Sequence, residues 1–182
     1  KREVTDATIL DAIGDNNKPA VVPIKGSKSK SGITVKGIHD LAVRFSKCCS
    51  PVPGDEIVGF VTRGRGITIH RTDCINVLNL PEIERSRLID AEWQGVEEDN
   101  SAATYSTEIS IFANNRIGMF VDISKIFTER EIDIKTMNSR VNKQGKATIT
   151  MSFDIHGIEE LNNLMAKLRQ IDGVLDIERT TG

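Results

Sequence analysis

The clearest pattern of apolar and polar positions lies in the C-terminal part of the chain. Alternating apolar residues predict strands at 109–111, 132–134 and 147–155, and the spacing of one helix face predicts helices at 119–127 and 158–168. One more strand follows the second helix. The order β-α-β-β-α-β is that of the ferredoxin-like split unit, in which both helices cover one face of an antiparallel sheet. The other face is then free for a partner.

The preceding part of the chain has a different pattern, in which short strand-like runs are separated by Pro and Gly turns. These runs are Ile33–Val35, Ala42–Phe45, Ile57–Val61 and Ile67–His70. They predict a small β-rich domain, with a short helix beginning near Asp73. The fold class is therefore predicted as α+β, with a small β-rich domain followed by the βαββαβ unit.

Two stretches have no strong pattern of their own. Thr5–Ile13 predicts a short helix, and the turn-rich segment after it carries Lys25, Lys28 and Lys30, which we interpret as solvated charges. The acidic stretch before residue 105 is interpreted as a connector, with Trp93 as a local packing anchor. The predicted organisation is 1–30 (end of a helical domain and linker), 31–80 (β-rich domain), 81–104 (connector) and 105–182 (βαββαβ domain).

Composition changes this picture mainly through the distribution of charge. The net charge of the 182 residues is −2, yet residues 25–71 carry nine basic and three acidic side chains. Such a basic patch attracts polyanions even on an acidic protein. No apolar run approaches the ~20 residues of a membrane span. The start lacks both Met and the apolar core of a signal peptide, and we expect a fragment of a longer protein.

All three cysteines lie close to one histidine in the sequence, at Cys48, Cys49, His70 and Cys74. An odd cysteine count argues against a secreted disulfide framework and for a reducing cytoplasm. Three chemistries stay open at this point. The four side chains can form a Cys₃His zinc site, although adjacent cysteines are a poor spacing for two ligands. They can also form a Cys–His catalytic pair or an inert packed cluster, and we predict the inert cluster, with no required metal.

The arginines of the segment "TRGRG" suggest an interaction with phosphate. Arg63 and Arg65 stand two apart and share one face of an extended segment, and the glycines beside them allow close backbone approach. Guanidinium groups bind phosphate oxygens in pairs. We predict contact with an RNA backbone through Arg44, Lys47, Arg63, Arg65 and Arg71. An exposed, solvated hairpin tip is the alternative.

These residues also carry a resemblance to a known family. The run "LAVRFSKCCSPVPGDEIVGFVTRGRGITIHRTDCINV" resembles the zinc-finger-like, ribosome-inter-subunit domain of long Rel/SpoT proteins, the bacterial stringent-response enzymes of guanosine tetra- and pentaphosphate metabolism. The segment "ANNRIGMFVDISKIF" resembles the first turn and helix of the ACT domain that ends those proteins.

The resemblance implies a regulatory region without catalytic residues. The hydrolase, synthetase and TGS domains of the family have no counterpart in this sequence. The family's C-terminal half binds the ribosome carrying uncharged tRNA, and its inter-subunit domain contacts large-subunit RNA. The resemblance implies a cytoplasmic protein that dimerises through its ACT domain, with no membrane partner. A pure small-molecule sensor and dimerisation module without RNA contact is the alternative, and a metal-dependent or thiol enzyme is a second one.

The segment "NNRIGMF" joins a predicted strand to a predicted helix, where free backbone N–H groups suit a carboxylate. In ACT domains the equivalent glycine turn often binds an amino acid together with a strand of a second protomer. The resemblance implies a branched-chain amino acid, valine or isoleucine. We predict a ligand site formed by Asn114, Arg116, Ile117, Gly118, Met119 and Asn138. A plain strand–helix turn is the alternative.

Overall fold

A computed structural model describes residues 33–35, 42–94 and 103–180. The predicted helix Thr5–Ile13 and the three lysines of the segment after it lie outside the described residues, as does the centre of the predicted connector. None of the helices in the described ranges has the length and apolarity that crossing a membrane requires.

The first unit is a five-stranded sheet with two short helices. In chain order its elements are β1 (Ile33–Val35), β2 (Val43–Phe45), β3 (Ile57–Thr62), β4 (Gly66–Arg71), α1 (Ile75–Leu78), α2 (Glu82–Arg85) and β5 (Leu88–Trp93). The strand order is β1-β5-β3-β4-β2. All neighbouring strands are antiparallel except β2 and β4, which are parallel. The strands predicted before residue 80 are all present, with small differences in their ends.

The close packing of β2 against the β3–β4 hairpin depends on one glycine. Gly66 has a φ of +83°, and a Cβ at this position would collide with the carbonyl oxygen of Ala42. The backbone N–H of Ile67 donates to the same carbonyl at 2.9 Å. Only glycine combines this left-handed conformation with so close an approach of two backbones. The edge strand β2 is thereby held directly beside the hairpin tip.

The region predicted as a connector, 81–104, differs from that expectation in its first half. The helix α2 and the strand β5 lie there, and β5 pairs with both β1 and β3 inside the sheet. The alternation of Ile89, Ala91 and Trp93 is short and is interrupted by acidic residues, so its strand pattern is weak in the sequence. Pairing with strands from distant parts of the chain decides its conformation, as is common for strands.

The second unit confirms the predicted βαββαβ order. Its elements are β6 (Tyr105–Asn114), α3 (Met119–Glu129), β7 (Ile134–Val141), β8 (Lys146–Ile155), α4 (Ile158–Leu168) and β9 (Val174–Arg179). The strand order is β7-β8-β6-β9, and every pair is antiparallel. Alternate residues of β6 and β8 are fully buried together with the inner faces of α3 and α4. The opposite face of the sheet is less buried and rich in hydroxyl groups.

The two units are joined by a buried ion pair and by aromatic contacts. Both guanidinium NH groups of Arg179, on β9, donate to the carboxylate of Asp55, at 2.7 and 2.9 Å. The two side chains are only 11% and 9% exposed. The ring of Tyr105 meets the rings of Phe45 and Trp93 edge-on, each at 5.6 Å between centroids. The two sheets are therefore held in one arrangement by contacts between residues far apart in sequence.

We predict that Arg179→Met destabilises the chain by about 3 kcal/mol, because it leaves the Asp55 carboxylate nearly buried without its counter-charge. Chemical denaturation followed by circular dichroism measures the change. Lys125→Met is the control, since the Lys125–Glu129 pair is exposed and its loss should cost less than about 1 kcal/mol. Equal effects of the two substitutions would contradict a structural role for the joint.

Candidate functional site

The four Cys and His side chains of the first unit lie together at one end of its sheet. Cys48 and Cys49 are in the turn after β2, His70 is near the end of β4, and Cys74 immediately precedes α1. One ligand atom from each residue lies within 4.8 Å of the other three. The Cys48 sulfur is 3.4 Å from the Cys74 sulfur and 3.5 Å from Nδ1 of His70, and the Cys49 sulfur is 3.8 Å from the same nitrogen.

A tight turn brings both neighbouring cysteines to this cluster. The backbone N–H of Ser46 donates to Ile69 on β4, and the N–H of Ser50 donates back to the carbonyl of Ser46 at 3.1 Å. Ser50 itself has a φ of +42°. In an extended strand adjacent side chains point to opposite faces, but in this turn they do not. The adjacent positions of Cys48 and Cys49 are a poor spacing for zinc ligands in an extended strand, but in this turn they are compatible with two ligands.

Burial is the main influence on the protonation of the four side chains. Burial raises the pKa of the Cys49 thiol to about 12, and burial also raises the pKa of Cys74. Burial opposes ionisation of Cys48 as well, but hydrogen bonds, first from Ser46, bring the pKa of that thiol below its usual value. Burial lowers the pKa of His70, which favours the neutral imidazole that binds metals.

The donor set and the spacing both suit zinc. Tetrahedral zinc with Zn–S bonds of about 2.3 Å places its sulfur ligands roughly 3.8 Å apart, close to the separations in this cluster. A bound cation would also favour the thiolates, which burial alone disfavours. A thiol catalyst needs a base that a third group orients. Within the described residues, the hydrogen bonds of the His70 ring are only those of Nδ1 with the two sulfurs.

Four of the five predicted RNA-binding residues lie along one edge of the same sheet. Arg63 and Arg65 are exposed at the tip of the β3–β4 hairpin, where Gly64 has a φ of +79°. Arg44 is exposed on the edge strand β2, and Lys47 is exposed in the turn after it. Because β2 runs from the hairpin tip to the cysteine turn, these four cations line one edge. We call them the basic edge.

Arg71 does not belong to the basic edge. Its side chain is 8% exposed, and its guanidinium group makes a two-pronged ion pair with the carboxylate of Asp73. Its backbone N–H donates to the Cys49 sulfur at 3.3 Å. Arg71 therefore supports the loop between β4 and α1, and this ion pair uses the donors that a phosphate would need.

The predicted amino-acid turn is present, and its polar groups bind one another. Gly118 has a φ of +84° and directly precedes α3. Arg116 binds the Asp122 carboxylate at 2.6 Å and the backbone carbonyl of Asp172 at 2.9 Å. The amide oxygen of Asn114 accepts from Lys146 at 2.9 Å. A ligand carboxylate would therefore compete with Asp122 for Arg116.

The remaining predicted ligand residues differ in burial and in their position in the sheet. The side chain of Met119 is fully buried in the core, whereas Ile117 is fully exposed. Asn138 is exposed on β7, opposite Thr150, two strands away from β6. The predicted contact of Asn138 with the ligand requires a second protomer, and the amino-acid site at the Gly118 turn stays a prediction.

Sequence reasoning missed the groups that meet between the two units. Asp55 and Arg179 are separated by 124 positions, and Tyr105 and Glu108 precede the strand predicted at 109–111. No local pattern distinguishes these residues from ordinary surface or strand positions. Their proximity follows from how the sheets are joined.

Comparisons with known proteins agree with this architecture. Residues 33–94 match the RelA/SpoT RIS domain, and residues 101–179 match the ACT domain. The chain is 34% identical over 181 residues to a GTP pyrophosphokinase of Escherichia coli (strain K12), which covers 99% of this chain and 23% of that protein. It is 31% identical over 150 residues to a GTP pyrophosphokinase of Streptomyces coelicolor, covering 82% of this chain and 17% of that protein.

A solved structure resembles the second unit. The crystal structure of the ACT domain from GTP pyrophosphokinase of Chlorobium tepidum is 26% identical, covers 42% of this chain and 99% of that one, and has a TM-score of 0.39.

The chain therefore consists of a RIS domain followed by an ACT domain, both of regulatory type. It belongs to the Rel/SpoT family and corresponds to its C-terminal regulatory region. It spans 23% of the length of the Escherichia coli relative and 17% of the length of the Streptomyces coelicolor relative.

We predict that Gly118→Ala lowers the free energy of unfolding by about 1 kcal/mol, because a Cβ disfavours the left-handed conformation at the start of α3. Thermal and chemical denaturation measure the change. Gly118→Asn is the matched control, since asparagine tolerates this conformation better and should cost less. If alanine and asparagine cost the same, backbone conformation does not explain the glycine.

Proposed function

We propose that this chain is the non-catalytic regulatory end of a guanosine tetra- and pentaphosphate synthetase or hydrolase, and that it binds ribosomal RNA through the basic edge. The observation that carries this proposal is the arrangement of the exposed side chains of Arg44, Lys47, Arg63 and Arg65 along one edge of the RIS domain. Exposed cations on a hairpin tip and an edge strand suit the phosphates of a folded RNA.

The partners in this proposal are the ribosome carrying uncharged tRNA and its large-subunit RNA, in the cytoplasm. The relatives named GTP pyrophosphokinase support an enzymatic role for the longer protein, to which this region would add control. Contacts with the phosphate backbone recognise the shape of the RNA and carry no base preference of their own. The basic edge would therefore recognise a particular fold of RNA.

We further propose that Cys48, Cys49, His70 and Cys74 bind one zinc ion. The support is a group of three sulfurs and one imidazole whose separations suit the ligands of a tetrahedral zinc ion. They come from three separate segments of the RIS domain, and burial lowers the pKa of the imidazole of His70. When bound, zinc would cross-link these segments and add its binding free energy to folding. The turn that carries Cys48 and Cys49 also carries Lys47, so Lys47 lies beside the proposed metal site. Zinc would thus stabilise one end of the basic edge.

Because residues 101–179 match the ACT domain, we also propose that this region binds a small molecule and forms a homodimer. A branched-chain amino acid and a second protomer are the partners that the sequence predicts for it. A small-molecule sensor without RNA contact is the alternative function. The favouring observation is a cleft of about 600 Å³ that is lined by residues of both domains.

We predict that Arg63→Ala combined with Arg65→Ala weakens ribosome binding of the parent protein and reduces the salt dependence of its affinity. Each lost phosphate contact should lower the slope of log K against log salt by about one unit. Sedimentation with purified ribosomes at several salt concentrations measures both quantities. The matched control is Lys125→Ala with Lys167→Ala, which removes two exposed cations from the ACT helices.

The control pair should leave ribosome binding nearly unchanged. Unaltered binding after the hairpin-tip substitutions, with the same circular dichroism spectrum, would favour the sensor without RNA contact.

We predict one zinc ion per chain in protein purified without added metal, measured by elemental analysis. Cys74→Ser should lose the zinc, and a strong chelator should lower the melting temperature of the unsubstituted chain, because structural zinc contributes to folding. Ser46→Ala is the control: its hydroxyl is 2.8 Å from the Cys48 sulfur, but it offers no metal ligand of the usual kind. It should retain zinc. Metal-free protein that also fails to bind added zinc would establish the inert cysteine cluster instead.

A further inference from the structure

A cleft of about 600 Å³ lies between the RIS sheet and the start of the ACT sheet. One wall is the end of β2 and the turn that follows, with Phe45, Lys47 and Pro51 among its residues. The other wall is the start of β6, with Tyr105 and Glu108, and it is completed by Ser152 of β8. The volume is in the range of sites for small molecules.

The joint between the domains holds this cleft in shape without a ligand. Arg179 binds Asp55 and also donates to the backbone carbonyl of Ser50, a residue of the cleft wall, at 3.2 Å. Phe45 is stacked on Trp93 with 5.6 Å between centroids and meets Tyr105 edge-on. Binding in a preformed cleft avoids most of the cost of ordering the protein around a ligand.

The two walls carry opposite charges that have no ion-pair partner within the described residues. Lys47 stands on the RIS wall, and Glu108 stands on the ACT wall with one carboxylate oxygen accepting from the Thr180 hydroxyl at 2.8 Å. Between them the lining is divided between apolar groups and hydroxyls.

We propose that this cleft binds a small zwitterion of the α-amino-acid class. The ammonium of Lys47 would bind the ligand carboxylate, Glu108 would bind the ligand ammonium, and the apolar lining would accept an uncharged side chain. The charges of the lining cancel, so a net-neutral ligand is favoured, and the carboxylate of Glu108 repels nucleotides and other polyanions.

This inference deepens the small-molecule part of the proposed function and places the ligand away from the Gly118 turn. The cleft is bounded by residues of both domains, so a ligand there contacts the RIS wall and the ACT wall together. Lys47 belongs to the basic edge as well, so an occupied cleft would engage one of the cations proposed to bind RNA. Binding of the ligand and binding of RNA are separate measurements and can fail independently.

The test is isothermal titration of the 182-residue chain, as purified, with L-valine, L-threonine, L-lysine and L-glutamate. Valinamide, which lacks the carboxylate, and N-acetylvaline, which lacks the ammonium, are the matched ligands. Valine and threonine should bind with micromolar to millimolar dissociation constants, and each capped ligand should bind at least tenfold more weakly. Lysine and glutamate should also bind more weakly, because each brings an unbalanced charge.

Variants then locate the site. Glu108→Gln and Lys47→Met should each weaken valine binding at least tenfold. Thr180→Val removes the same hydrogen bond that Glu108→Gln weakens but leaves the carboxylate, so it should bind valine normally. Gly118→Ala distinguishes this cleft from the turn before α3, which is not among the residues of the cleft walls. The circular dichroism spectrum and the melting temperature are recorded for every variant to show that the fold is kept.

Three results would overturn the proposal. The first is absence of binding by any of these amino acids at millimolar concentration. The second is loss of valine binding in Gly118→Ala with normal binding in Glu108→Gln, which would place the ligand at the ACT turn. The third is equal binding of valine, valinamide and N-acetylvaline, which would show that the two charges do not recognise the ligand.

Discussion

The ion pair between Asp55 and Arg179 is the contact on which the arrangement of the two domains depends. One oxygen of the Asp55 carboxylate also accepts from the backbone N–H of Val52, so the pair fixes the loop before β3 as well as the end of β9. Val52 in turn is fully buried in the core of the ACT domain. A carboxylate and a guanidinium that are both nearly buried are stable only when they face each other, which leaves the joint little freedom.

The same loop connects the joint to the proposed functional groups. Residues 46–51 contain two of the cysteines, Lys47 and Ser50, and their last residues are held against the ACT domain through the Ser50 carbonyl. A change in how the ACT domain is packed would therefore act first on the cysteine turn and on the end of the basic edge. This is a physical route by which the proposed ligand between the domains would influence the surface proposed to contact RNA.

The sequence predicted much of the architecture because the relevant patterns are local. The helices α3 and α4 and the strand β8 have long apolar repeats, and burial of those repeats on one face suffices to determine their type. β5 was missed because its alternation covers few residues and its partners, β1 and β3, come from other parts of the chain. For the candidate sites, residue type singled out Cys48, Cys49, His70 and Cys74, and the structure brings these four side chains together.

By itself, the sequence determined the α+β class, the order of the ACT elements, and the kinds of side chain available for metal and phosphate. Only the tertiary structure decided which of them meet. It removed Arg71 from the exposed cations by pairing it with Asp73, buried Met119, and brought Glu108 opposite the turn of Lys47. The physical reason is the distance in sequence over which each effect acts. Periodic burial and turn preference act over a few residues, whereas ion pairs and clefts join groups that are far apart in the chain and leave no local pattern in the sequence.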